Sequence, residues 1–569
     1  FRGDAGGYNV LNYVNGANAS QIYGTINANN NGNIFIVNPA GVQIGNSAQI
    51  NVGSLYVSNN EMNDDNFNHF MNNADPNNII NYALQGKSTE AALMSLGNIN
   101  ANHVTFEGDG RIVIDSERIT NDANNATFRV NTNDAGNVVI GYDAYNEVIY
   151  NEDGTIKKDK GTYDGKDKNF TGNVFVNGTN PSEAVKGYMW VEDVEQLQAI
   201  NTNLGGNYAL RNSIDATSTD DGGAGFKPIG LDENGKLKDT GFTGKFDGID
   251  YNIFGLTINN NYTNVGLFGE TNGATINNVT LVGGSVTGAA HVGAVVGSAL
   301  NGTVISNVIN SASVNGIDGT NGNNIGGIVG VADDTTITNA VNTGAVDGKN
   351  NNVGGLVGLL ENGSTLNGNS YNLGDVSSEG HNVGGLVGRA VNSTIVDGKN
   401  LVYNRLDVEG AYNVGGIVGN MEGTTVQNAE NSGNITATRY TTETYYYHAG
   451  QKNNNTINAI VKNETVNVAN VGGIAGKADN TDTKESIIKD VINTGNVSSN
   501  KGEKNNYYDA GNVGGIVGSA VDTNISNATN KENEVRGAHN VGGVAGYFGN
   551  SNDDKEDPDY TINKGINDG

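Results

Sequence analysis

The chain contains no cysteine in 569 residues, which excludes a disulfide scaffold and any thiol chemistry. A chain without disulfides is also free to cross a membrane pore unfolded, because no cross-link locks it beforehand. Proline is scarce at 5 residues and tryptophan occurs once. Positive charge is in short supply. Against 61 Asp and Glu there are 32 Lys and Arg, a net charge of −29, which repels nucleic acid and anionic membranes. No apolar run approaches the ~18 residues a membrane span needs. The residues Phe1 to Gly7 are not a signal peptide.

What is plentiful is glycine, 83 residues, together with asparagine. Such a composition reads as disorder only where regularly spaced apolar residues are missing. Here they recur. V-G-G-I-V-G stands at Val353 to Gly358, Val383 to Gly388, Val414 to Gly419 and Val513 to Gly518 with small variations, and looser copies begin at Val265, Val292, Ile325, Val471 and Val541. Successive starts are 27, 33, 28, 30, 31, 57, 42 and 28 residues apart, so the period is about thirty with two swollen repeats. Between copies comes T-x-I-x-N and then N-x-G-x-V, as at Thr336, Ile337, Asn339, Asn342, Gly344 and Val346. Each repeat thus holds three short apolar segments separated by Asn/Gly turns, none long enough for a helix. Three short strands per repeat describe one coil of a β-solenoid, with residues such as Val357 and Ile417 facing inward and each coil pairing with the last. The paired glycines either avoid a clash or supply a positive φ at a corner. At ~4.8 Å per coil, nine coils give a rod about 43 Å long.

Residues 8 to 58 alternate apolar positions, Ile34, Ile36, Val42, Ile44, Ile50 and Val52, with glycines every few positions. Val14-Asn15-Gly16, Ser20-Gln21-Ile22-Tyr23-Gly24, Asn38-Pro39-Ala40-Gly41-Val42 and Val52-Gly53-Ser54-Leu55 follow in order. This stretch resembles the N-terminal secretion domain of two-partner-secreted bacterial exoproteins of the filamentous-haemagglutinin type, with Ala40 standing where that family usually has Asn. The resemblance implies a right-handed parallel β-helix recognised by a dedicated outer-membrane transporter, with Asn38, Pro39, Ala40 and Gly41 as the secretion motif. Physically, Asn-Pro-Ala-Gly is a coil corner: Pro fixes φ and Gly closes the turn.

Asp64 to Gln85 is polar and weakly patterned, a loop or insertion. From Tyr142 to Asn180 charge rises and pattern falls, which reads as a solvated linker or hairpin. Val191, Val194, Leu197 and Ile200 then share one helical face that ends at Gly205-Gly206, a short amphipathic helix placed to cap a solenoid end. With Phe226-Lys227-Pro228-Ile229-Gly230, Phe242 to Gly248 and the repeats that follow, this part resembles the GLUG-repeat region of bacterial surface proteins. Some of those are adhesins and others are attached to immunoglobulin-A peptidases. The expected organisation is a secretion domain over 1–145, N-terminally truncated, a polar linker or hairpin over 146–186, a GLUG-repeat β-solenoid over 187–548, and an acidic segment with the start of a further coil over 549–569. Thr561, Ile562, Asn563, Gly565 and Ile566 carry that coil pattern, so the sequence reads as part of something longer.

The swollen repeats carry Tyr445, Tyr446 and Tyr447, and Tyr507 and Tyr508. Exposed tyrosines on loops are candidate contact residues. No catalytic, cofactor or metal residues are assigned. His381 and His539 lie four coils apart, roughly 19 Å, too far to share an ion. No H-E-x-x-H occurs, so the peptidase association does not transfer, and the acids do not recur on one face as a polysaccharide lyase or hydrolase would need. Asp333-Asp334 offers at most a weak Ca²⁺ turn, Arg2-Gly3-Asp4 is a short tripeptide, and Asn-x-Ser/Thr sequons at Asn278, Asn301, Asn392 and Asn463 follow from composition. The expectation is an all-β right-handed parallel β-helix or β-solenoid with one short capping helix. Functionally it is a non-enzymatic secreted adhesin at the cell surface, with an outer-membrane transporter and a host or neighbouring-cell receptor or glycan as partners. The alternative is the stalk of a contact-dependent toxin, and a polysaccharide-degrading β-helix ranks behind both.

Overall fold

The computed structural model describes residues 8–28, 32–62, 67–68, 92–120, 127–146, 161–163, 167–317, 324–396, 400–438, 441–453, 456–499, 510–537, 540–549, 562–563 and 565–568. The chain divides into two compact units, Phe1–Val191 with Gly206–Ala209, and Glu192–Gly205 with Leu210–Gly569. Both are built from parallel strands stacked coil on coil, the right-handed parallel β-helix expected from the sequence.

In the first unit each coil contributes to three sheets. The first sheet stacks Tyr8–Tyr13, Gly32–Val37, Ser54–Ser58, His103–Glu107, Thr127–Thr132 and Val174–Val176, all parallel. The second includes Ser20–Ile22, Val42–Ile44, Leu93–Ser95, Ile112–Asp115, Val138–Tyr142 and Tyr188–Val191, and the third Thr25–Asn27, Gln49–Asn51, Asn98–Asn100 and Ile119–Thr120. The alternation read from the sequence is the core: Ile34, Ile36, Leu55, Val57, Val104 and Phe106 line up in register and are buried. Within the span read as linker or hairpin, Tyr145–Asn146 pairs antiparallel with Thr162–Tyr163, and Val174–Val176 continues the first sheet. Asp64 to Gln85 lies almost wholly outside the described residues.

The second unit begins with the helix, Val194–Ala199. Asp193 caps it, its Oδ1 accepting from the Gln196 amide at 2.8 Å, while Gln196 Oε1 reaches back to the Glu192 amide at 2.9 Å, a reciprocal arrangement that satisfies two otherwise orphaned donors. Val191 stands in the preceding strand rather than in the helix. Leu197, Ala199 and Ile200 are buried. The helix is fastened to the segment that opens the coils: Gln198 exchanges hydrogen bonds with the Lys227 backbone, and Leu204 O accepts from the amides of Thr243 and Gly244.

The copies of V-G-G-x-V-G stand directly on one another. Val265, Val292, Ile325, Val353, Val383, Val414, Val471, Val513 and Val541 pair in that order. The expected three strands per repeat need correcting, because this unit has four sheets of its own, first to fourth in the order in which one coil passes through Thr336–Asn342, Val346–Gly348, Val353–Gly354 and Val357–Glu361. The motif itself is cut in two: Val353–Gly354 belongs to the third sheet and Val357–Glu361 to the fourth. Gly355 marks the corner, where a Cβ would sit 2.2 Å from Gly385 O in the next coil and 2.5 Å from the Asn372 side chain. So the glycines answer to space. The positive φ is carried by the asparagine before the motif, 58° at Asn352, 59° at Asn382 and 53° at Asn413, a residue that tolerates this region.

Two asparagine ladders run along the second unit. The inner one is fully buried from Asn310 to Asn530: Nδ2 of Asn310 donates to Oδ1 of Asn342 at 2.9 Å, and the pattern continues through Asn372, Asn404, Asn431, Asn493 and Asn530 to an exposed end at Asn567. The second Nδ2 hydrogen closes a local turn, as from Asn342 to Gly344 O at 2.8 Å. The outer ladder runs the other way, Asn352 donating back to Asn324, Asn382 to Asn352 and Asn413 to Asn382, at 2.8, 2.8 and 2.9 Å. A buried amide is costly unless all its groups are paired, and stacking identical amides one coil apart pairs them.

Candidate functional site

Asn38-Pro39-Ala40-Gly41 joins the Gly32–Val37 strand to the Val42–Ile44 strand of the first unit. The Gly41 amide donates to Asn38 O at 2.8 Å, closing a four-residue turn with Asn first, Pro second and Gly fourth, the residue order of a type I turn. Asn38 is fully buried. Its Oδ1 accepts from the Ala40 amide at 2.9 Å, its Nδ2 donates to Asn18 O at 3.0 Å and Ser20 Oγ at 2.9 Å, and its own amide donates to Ser58 O at 3.0 Å. The side chain therefore ties its turn to the coil before, and its backbone ties it to the coil after. In the folded state it has no surface to offer another protein.

A second feature of the first unit went unnoticed in the sequence. Residues that alternate outward from the first sheet are themselves buried: Phe35, Val37 and Tyr56 cluster with Leu11, Tyr13 and Met62. Beside them Glu107 accepts from Asn131 Nδ2 at 2.9 Å, and burial pushes its carboxyl up from the usual range. Burial, and then the Glu107 charge, raise the Tyr56 hydroxyl well above its ordinary value. Only the pleat parity of Phe35 and Tyr56 could have signalled a covered outer face.

In the second unit a long connection between Gly549 and Ile562 leads from the fourth sheet back to the first, but three expansions from Thr257 onward, the longest among them, fall at one corner, between the second and third sheets. They lie between Gly316 and Ile325, Ala437 and Val471, and Ser499 and Ala510. The middle one is an antiparallel hairpin of Thr441–Asn453 with Thr456–Gly472, in register from Thr441 opposite Val468 to Asn453 opposite Thr456. Tyr445, Tyr446 and Tyr447 thus stand in a strand rather than a loop, as the β-propensity of Thr-Thr-Glu-Thr-Tyr-Tyr-Tyr favours. Tyr507 and Tyr508 lie outside the described residues.

Two aromatic pairs stand on other strands of the second unit. His381 and Tyr412, register partners in the third sheet, have ring centroids 3.6 Å apart. Tyr371 and Tyr403 in the first sheet stack at 4.6 Å and 6°, with the Arg405 guanidinium 4.6 Å from the Tyr403 centroid. Their signal was a one-coil repeat of an aromatic at an outward position. His291 occupies a rung of the outer ladder, Nδ1 2.9 Å from Asn264 Oδ1, and burial lowers its pKa. Among the described residues no group of His, Asp or Glu is arranged to hold a metal ion. Asp333 faces Glu361 on the next coil, and burial followed by the Asp333 charge raises the Glu361 carboxyl. His539 and Arg2-Gly3-Asp4 lie outside the described residues. No helix among the described residues is long and apolar enough to cross a membrane.

Residues 1–224 match the TPS (two-partner secretion) secretion domain. Among curated proteins the chain is similar to Halomucin of Haloquadratum walsbyi (strain DSM 16790 / HBSQ001), 32% identical over 245 residues, which is 40% of this chain and 2% of that protein. The chain thus spans about 2% of the length of this relative. The secretion-domain match supports a two-partner-secreted exoprotein, a secreted protein with an outer-membrane transporter as its partner.

Proposed function

We propose that this secreted chain is an adhesin: a secretion module followed by a GLUG-type repeat stalk that binds a receptor or glycan on a host or neighbouring cell. The observation that carries the reading is the gathering of three insertions, the longest among them, at one corner of the stalk. In a stacked-repeat protein insertions that share an edge build a binding edge while the rest of each coil stays committed to packing. Tyr445, Tyr446, Tyr447, Tyr507 and Tyr508 are the proposed contact residues. No reaction is assigned. The secretion motif is proposed to act through folding, because Asn38 is consumed by its turn and the adjacent coil.

The test co-expresses the chain with its partner transporter and reads export and cell binding separately. Replacing Asn38 and Pro39 with Ala should leave protein in the periplasm, where it is degraded. Replacing Tyr445, Tyr446 and Tyr447 with Ser should leave export intact and reduce binding of the exported protein to target cells at least tenfold. Export of the Asn38/Pro39 variant at the unmodified level would remove the turn from the mechanism. Unchanged cell binding by the tyrosine variant would remove the corner as the adhesive edge.

A further inference from the structure

Tyr371 and Tyr403 are register partners on successive coils of the first sheet, both half-buried on its outer side. Their rings lie nearly parallel, with centroids 4.6 Å apart and planes 6° from each other. The strands beneath fix this placement, because Asn372 and Asn404, one residue on, are buried and joined by the ladder hydrogen bond of 3.0 Å. Along the row Val341 stands before Tyr371 and Glu430 after Tyr403, so each phenol has one tyrosine to meet.

What such a pair can do follows from what the chain lacks. It has no cysteine, and its one tryptophan, Trp190, is fully buried. Methionine answers oxidants by taking up an oxygen atom as the sulfoxide. The exposed phenols are therefore the groups from which a one-electron oxidant can draw. Burial, and then the neighbouring Tyr371, raise the Tyr403 phenol, so it gives up a proton together with the electron. The other tyrosine contacts are built differently: Tyr163 and Tyr208 are buried and meet edge to face at 74°, and Tyr145 and Tyr163 are tilted by 57° at 5.4 Å. Among the described residues only Tyr371 and Tyr403 combine parallel rings with access from solvent.

We propose that Tyr371 and Tyr403 are a site of oxidative coupling, at which a carbon–carbon bond between the two rings joins successive coils. A one-electron oxidant of the haem-peroxidase class, fed by hydrogen peroxide, removes an electron and a proton from each phenol. The unpaired spin reaches Cε of each ring and the two Cε atoms join. Their hydrogens then pass to the phenol oxygens as the rings regain aromaticity. The two electrons and two protons withdrawn reduce one peroxide to two waters. Oxidising conditions hold outside the cytosol, where a secreted chain works. The bond supplies the cross-link that a cysteine-free chain cannot make as a disulfide, and by closing the coil between the two residues it restricts the open states of that coil. Coupling is independent of the adhesive reading, since neither transporter nor receptor takes part.

The purified full chain, folded or unfolded in urea, is treated with a haem peroxidase and hydrogen peroxide, and its monomer fraction is digested with trypsin and read by mass spectrometry. Cleavage after Lys349, Arg389, Lys399 and Arg405 releases residues 350–389 and 400–405, each with a single tyrosine, so a linked pair two hydrogens below their summed mass identifies the bond. In the folded chain this pair should lead the tyrosine coupling, and its share should fall about tenfold or more on unfolding, when proximity is lost. Absence of the pair from the folded chain, or an equal share in the unfolded one, overturns the proposal. Amide exchange between Val376 and Val402 should slow in the linked chain and stay unchanged in oxidised Tyr403→Phe, which keeps the ring stack without the phenol. Unchanged exchange in the linked chain would refute the staple, and equal slowing in the variant would do the same by tracing the effect to another residue.

Discussion

Asn372→Ala is the sharpest test of what holds the second unit together. The side chain is fully buried and makes four hydrogen bonds: its Nδ2 donates to Asn404 Oδ1 at 3.0 Å and to Gly374 O at 2.6 Å, and its Oδ1 accepts from Asn342 Nδ2 at 2.9 Å and from the Gly374 amide at 3.2 Å. Truncation leaves these partners in a site closed to solvent. Each orphaned group costs on the order of 1 kcal/mol or more, so about 3–5 kcal/mol is expected. The loss should be local, because each coil rests only on its neighbours. A single unfolding free energy is poorly defined for such a stack. The suitable assay is amide hydrogen exchange read by mass spectrometry on the full chain. Peptides covering Asn342 to Gly344, Gly374 and Asn404 to Leu406 should lose protection, while those around Ile276 and Val513 keep theirs. Asn372→Asp should be at least as damaging at neutral pH, because a carboxylate cannot donate to Asn404 or Gly374, and the damage should ease on acidification as the acid regains a proton. Unchanged exchange in the flanking coils of the alanine variant would mean that the ladder is a consequence of stacking and contributes nothing to it.

Val357→Asp places an unpaired charge at a fully buried inward position and should cost several kcal/mol, with protection lost in the coils at Val329 and Val387; unchanged melting would show the inward assignment to be wrong. Gly355→Ala sets a Cβ against Gly385 O and Asn372 and should destabilise by about 1–3 kcal/mol, whereas Gly363→Ala, in open space at a φ of 85°, reports backbone strain alone. His291 has a folded pKa depressed by burial, so its neutral form contributes stability that is present above the unfolded value of about 6.5 and lost as pH falls through the folded one. His291→Asn restores the ladder residue at a φ of 47° and should flatten the acid loss of protection around Asn264 and Ser298; an identical pH profile in the two proteins would clear His291 of that role.

The coil register was legible in the sequence because it is set by residues that do not vary in role. Val353, Val383 and Val414 each need a small β-branched side chain inside and a glycine behind it, so aligning the motif by eye is the same act as stacking the coils. Asn38-Pro39-Ala40-Gly41 was legible as a turn for the same reason, since turn chemistry is local. The fourth sheet was not, because Val353–Gly354 and Val357–Glu361 read as one apolar run and only the approach of Gly385 O to Gly355 shows that a corner divides them. The ladders escaped notice because Asn310 and Asn342, far apart in sequence, look like two more polar turn residues until coils are superposed. The hairpin of Thr441–Asn453 reads as a loop in the sequence because most of its length lies outside the coil repeat.

The ladders also bear on how such a chain would fold when it emerges from its N-terminus, as the proposed export requires. In the outer ladder each asparagine donates to the coil before it, Asn352 to Asn324 and Asn382 to Asn352, so an arriving coil finds its acceptor already in place. In the inner ladder the direction is reversed. Asn342 donates to Asn372 and Asn372 to Asn404, so the newest coil always holds a donor that only the next coil can satisfy. One ladder therefore fastens each coil on arrival, and the other leaves the growing end one hydrogen bond short, a bias that favours adding the next coil over stopping. Because the two rows point their amide dipoles in opposite senses, lengthening the stack does not build up a net dipole from the asparagines. Nothing in this sequence of events needs a nucleotide or an ion, only the arrival of the next thirty or so residues, which is the supply that a transporter passing an unfolded, cysteine-free chain provides.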